Sequence, residues 1–79
     1  MGPLAAYLFE CRDTRQLMAV CLDPSGVPLP VGHCSGGWHL VREFPLSVHD
    51  PMPVAMNPEP VLRGIQADGY FVWNAGNVN

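Results

Sequence analysis

Three cysteines and three histidines are the residues in this chain with the richest chemistry. Cys11, Cys21, Cys34, His33, His39 and His49 together supply enough soft ligands for a zinc ion. Their spacing argues against one. Compact zinc patterns place two cysteines two to four residues apart, and here the one close pair is the adjacent His33-Cys34. Adjacent side chains rarely aim at one ion. If a hairpin set Cys11 opposite Cys21, a partial site would form; the plainer reading makes both small buried hydrophobes. The odd cysteine count also argues against a closed disulfide framework, so the thiols are expected free, in a reducing compartment.

Cys34 is the candidate nucleophile. It lies in the small-residue stretch Gly32-His33-Cys34-Ser35-Gly36-Gly37, beside an imidazole whose charged form would lower a thiol pKa. No third group can be assigned to orient the pair, and a surface cysteine explains the stretch equally simply. Carboxylates add little. Glu10, Asp13 and Asp23 flank the first apolar runs, and Asp50, Glu59 and Asp68 are scattered at ends of elements and turns, where capping and solubility account for them. Gly36-Gly37 is not followed by the lysine and hydroxyl of a phosphate-binding loop. No catalytic residue, cofactor site or metal site is assigned from the sequence.

Charge narrows the partners. The net charge is −3, and four arginines carry every fixed positive charge because the chain has no lysine. Arg12 and Arg15 are neighboured by Glu10 and Asp13, which dilutes any basic face. A nucleic-acid binder neutralises several phosphates with a concentrated basic surface, so this balance argues against that class. Charged residues make up only 14% against 48% hydrophobic, which is sparse cover for a small chain and points to a protein partner, a second copy first of all. No run approaches the ~20 apolar residues of a membrane span. The apolar stretch Leu4–Phe9 is too short for a secretory core and has no basic leader, so the expected compartment is the cytoplasm.

These residues need elements to hold them, and 79 residues suffice for one domain, 1–79, with a thin core. Residues 3–11 and 17–22 are apolar runs joined by the polar link 12–16, which reads as a β-hairpin in preference to one helix over 4–22. Asp23-Pro24-Ser25-Gly26 is a turn, and Pro28 and Pro30 make Val27–Val31 an extended loop or a sheet edge. Trp38–Phe44 reads as a third strand ended by Pro45. Leu46–Met56 reads as an extended connection, with room for a short strand near Ser47-Val48. Asn57-Pro58-Glu59-Pro60 opens a helix through Asn57 as N-cap and proline in the first turn; Val61, Leu62 and Ile65 make one face apolar, and Gly69 ends it. Tyr70–Trp73 is a last strand, and the tail from about 74 to 79 is expected to fray. The fold class is α+β: a small, mostly antiparallel sheet in the order β-β-β-α-β, with the C-terminal helix packed on one face.

Aromatic residues are the surplus in this scheme. Alternation sets Tyr70 and Val72 on one face of the last strand and Phe71 and Trp73 on the other, so one pair turns away from the helix. Trp73 is the candidate second-face anchor, since tryptophan is enriched where proteins meet. Arg12, Arg15, Trp38, Arg42 and Trp73 form the candidate interaction surface. The function expected is a small non-enzymatic protein-interaction or regulatory module, working as a homodimer. One alternative is a nucleic-acid accessory protein using Arg12, Arg15 and Arg42 with Trp38; another is a small zinc- or thiol-dependent protein.

Overall fold

The computed structural model describes residues 4–14, 16–30, 32, 34, 36–47 and 58–74. Five elements follow in order: β1 (Leu4–Cys11), β2 (Leu17–Cys21), β3 (Trp38–Leu46), α1 (Pro58–Asp68) and β4 (Tyr70–Asn74). The fold is α+β, a four-stranded antiparallel sheet in the order β3-β1-β2-β4 with the helix packed on it. The first two runs form the hairpin, with Phe9 opposite Ala19 and Leu8 opposite Val20. Its turn closes where the Leu17 N–H donates to the Thr14 carbonyl at 2.9 Å. A helix over 4–22 would place apolar residues on one stripe. Here both faces of the hairpin are buried, which suits a central sheet position.

Two apolar layers result. On the helix side, Ala6, Leu8, Met18, Val20, Phe44, Leu46 and Val61 form a buried cluster, bordered by Leu62, Ile65, Phe71 and Trp73. On the other side, Phe9, Ala19, Cys21 and Leu29 are buried, bordered by Tyr7, Trp38, Tyr70 and Val72. α1 lies chiefly over β4 and also touches β2. Gly69 ends it with φ of 87° and donates its N–H to the Ile65 carbonyl at 2.9 Å, the closure that a left-handed residue after a helix permits.

The structure departs from the sequence reading at several points. β3 does not stop at Phe44 but continues through Pro45 to Leu46. Proline lacks a ladder donor, and an edge strand tolerates it because one side of its backbone has no strand to satisfy. The register of β3 against β1 also shifts: Phe9 faces Leu40 and Leu8 faces Arg42, so Val41 is an extra, bulged residue. Val27–Leu29 is not extended and is not a sheet edge. Gly26 donates to the Asp23 carbonyl at 3.1 Å and Leu29 to the Gly26 carbonyl at 3.0 Å, two successive turns that drop Leu29 into the core at 4% exposure. Asn57, Val48 and the tail 75–79 lie outside the described residues, while Asn74 belongs to β4.

Candidate functional site

The thiols do not lie where their spacing suggested. Cys11 and Cys34 are joined in a disulfide, with their Cα atoms 5.8 Å apart. The expectation of three free thiols is thereby overturned. An odd count excludes a fully paired set, not one pair with one cysteine left over. Chain distance hid the pairing, and the sheet creates it. Cys11 ends β1 opposite Trp38, the first residue of β3, and the segment before Trp38 folds back so that the Arg12 N–H donates to the Gly37 carbonyl at 3.0 Å. Cys34 is buried and covalently occupied, so it offers no thiolate for nucleophilic attack. Its sulfur also lies 3.1 Å from the Gly37 carbonyl oxygen, a contact that becomes a hydrogen bond only in the thiol form.

Cys21 is the free cysteine, and it does not face Cys11 across the hairpin. Its cross-strand neighbour on β1 is Tyr7, four residues from Cys11. The zinc-site geometry that needed those two opposite each other therefore does not arise. No group of three potential metal ligands forms among the described residues, which include His39 but neither His33 nor His49. Burial pushes the Cys21 thiol above its ordinary value, although its S–H donates to the Asp23 carbonyl at 3.2 Å. Asp23 in turn is held below its usual range by the Ser25 hydroxyl at 2.6 Å and the Ser25 N–H at 2.9 Å, an Asx turn that fixes the chain as it leaves β2.

The sign of the Cys21 effect gives a test. A thiol whose folded pKa is raised contributes stability that is fully present below its unfolded value, near 9.0, and is lost as pH climbs through the folded value. The thermal midpoint should therefore fall more steeply above pH 9.0 in the natural chain than in Cys21→Ala. Parallel curves from pH 7 to pH 10.5 would show that burial does not govern this thiol.

The second sheet face has its own cover. Described residues between β2 and β3 provide it: Leu29 is buried there, Cys34 is tied to Cys11 by the disulfide, and the Trp38 indole N–H donates to the Pro30 carbonyl at 3.2 Å. Apolar surface left over by the helix is thus partly covered within one chain.

The candidate surface residues spread over both faces and one edge. Trp38 is half-buried on the second face. Arg42 is exposed on β3 beside Leu8, which places it on the helix side, and Arg12 is exposed just past β1. Trp73 packs on the helix side, stacked on Phe71 with ring centroids 5.8 Å apart, so the pair turned from the helix is Tyr70 and Val72. Arg15 lies outside the described residues. What the sequence did not single out is the aliphatic pair Leu40 and Val41, 41% and 46% exposed on β3. The bulge at Val41 and the edge position of β3 account for their exposure. An open hollow of about 350 Å³ at the far end of the same strand pair is lined by Leu4, Ala5, Glu43, Phe44 and Pro45.

No helix among the described residues is long and apolar enough to cross a membrane. Set against protein-family models, curated proteins and solved structures, the chain matches none of them.

Proposed function

We propose that this chain is a small non-enzymatic protein-interaction or regulatory module whose partner-facing surface is the exposed side chains along the edge strand β3. The observation that carries the reading is the exposed Leu40-Val41-Arg42 run on an edge strand. In a chain with 14% charged residues, a strand could spend those positions on solubility, yet two adjacent ones are aliphatic. Trp38 borders the run on the second face, and Arg12 and Arg42 provide guanidinium groups for a carboxylate on the partner. The bulge at Val41 and Pro45 disfavour simple addition of a strand here, so recognition runs through side chains.

The compartment is part of the proposal. A Cys11–Cys34 bond persists where conditions are oxidising, and a cytosolic glutathione pool reduces it. The cytoplasmic assignment therefore goes with the dithiol form, and alkylation of the protein taken directly from its host reads which form is present.

The double variant Leu40→Asp/Val41→Asp should fold as the natural chain does, because both positions are exposed. In cross-linked pull-downs from the host it should lose a protein that both the natural chain and a Gln66→Lys control retain. Equal capture by all three would end the reading. Capture that nuclease or high salt abolishes would replace it with the nucleic-acid class.

A further inference from the structure

The two edges of the sheet are built differently. β3 is nine residues long and carries a bulge at Val41, Pro45, and the charged pair Arg42-Glu43, each a feature that blunts an edge against backbone pairing. β4 carries none of these. It pairs with β2 in unbroken register and has no strand on its other side among the described residues. Its core is Tyr70-Phe71-Val72-Trp73, aromatic and β-branched throughout, uncharged, and half-buried at every position. Such residues favour strand pairing most strongly.

Symmetry then selects the register. When two copies extend one continuous sheet about a two-fold axis, residues directly opposite must point to the same face. Their numbers must therefore sum to an even value, and the axis passes through a residue. An axis at Val72 uses the strand most fully. Val72 then meets Val72 of the second copy on one face, and Phe71 meets Trp73 of the second copy, twice, on the other. Aromatic pairs and β-branched pairs are the favourable cross-strand partners. Phe71 and Trp73 already stack within the chain, so pairing would join two such stacks into one cluster of four rings. Leu62 and Ile65 of α1, half-buried beside those rings, would extend the apolar contact. The strand is thus complementary to its own inverted copy.

We infer that β4 is a self-association edge, joining two copies into one eight-stranded sheet with Val72 on the two-fold axis. This rests on the interaction-module reading and names one of its partners, a second copy of this chain. β3, at the outer edges of the joined sheet, stays open for a different protein.

Charge swapping tests it. In a concentration series by sedimentation velocity, the natural chain should reach twice its 8.6 kDa mass. Val72→Lys and Val72→Glu place like charges opposite each other, and each should weaken association roughly tenfold or more. Mixing the two should restore a dimer, because Lys then faces Glu. Circular dichroism of each variant reports its fold. Should either fail to fold, isotope-filtered contacts between Val72 methyl groups of labelled and unlabelled natural chain provide the second measurement, expected to be present. A natural chain that stays monomeric at millimolar concentration, an undiminished dimer in Val72→Lys, or absent intermolecular methyl contacts in a dimer would overturn the inference. A monomer that still captures a host protein through Leu40 and Val41 ends this inference alone. A dimer that captures nothing ends the β3 reading alone.

Discussion

Reduction of the Cys11–Cys34 bond should lower the thermal midpoint by roughly 12–24 °C. The bond closes a loop with a sequence separation of 23. Cross-linking a loop of that length removes chain entropy from the unfolded state worth about 3 kcal/mol. For a chain of this size, each kcal/mol corresponds to about 4–8 °C. The loss is large against a total at the low end of the usual ~5–15 kcal/mol. The folded state loses something as well. The described residues between β2 and β3 would then be anchored by buried Leu29, the Trp38–Pro30 hydrogen bond and the Arg12–Gly37 backbone hydrogen bond. Cys21 cannot take over, since it sits beside Tyr7, four residues along β1 from Cys11. Scanning calorimetry with and without a phosphine reductant measures the shift, and Cys11→Ser/Cys34→Ser should reproduce the reduced midpoint without reductant. If the oxidised, folded protein gave three alkylated cysteines on unfolding, or if the midpoint did not move, the pairing would be wrong.

How far the sequence reveals this molecule depends on the range of the interactions involved. The helix was legible because its signals are local. Pro58 in the first turn, the apolar spacing of Val61, Leu62 and Ile65, and Gly69 each act within a few residues, and α1 runs from Pro58 to Asp68. The hairpin was legible for a related reason, since both apolar runs and their polar link lie within about twenty residues. What the sequence concealed required contacts between distant segments. The Cys11–Cys34 pair exists because β3 returns alongside β1, a fact that no spacing rule contains. Pro45 reads as a strand end unless β3 is known to be an edge. The placement of Trp73 toward the helix follows from pairing with β2, in which Met18 faces Trp73, and not from alternation, which left both faces open. The candidate surface suffered most. Its five residues stand out by type, and type does not say that Arg42 and Trp38 lie on opposite sides of one strand while Leu40 and Val41 lie exposed between them.

Gly64→Ala should destabilise the fold by about 1–3 kcal/mol, although an exposed helix gains about 1 kcal/mol from the same change. The opposite sign comes from how closely α1 approaches β4. A methyl group at Gly64 would sit 2.6 Å from Phe71 Cδ1, 3.1 Å from Phe71 Cβ and 3.2 Å from the Tyr70 carbonyl oxygen. The ring edge is the nearest obstacle, and its stack on Trp73 resists moving aside. The Cβ and the carbonyl are fixed by the strand, so the helix itself must lift. Lifting loosens Val61, which is fully buried, and with it the cluster beneath. Gly64→Val, with two more methyl groups on the same carbon, should cost about 3 kcal/mol or more and leave no cooperative transition at 37 °C. A double-mutant cycle separates this account from a general intolerance of the helix to change. In a Phe71→Ala background the nearest obstacle is gone, and the cost of Gly64→Ala should shrink by about 0.5–3 kcal/mol, the coupling usual for residues in contact. Urea unfolding of the four proteins gives all the quantities. An equal cost in both backgrounds would place the strain elsewhere, and a rise in stability for Gly64→Ala alone would mean that the helix does not lie so close to β4.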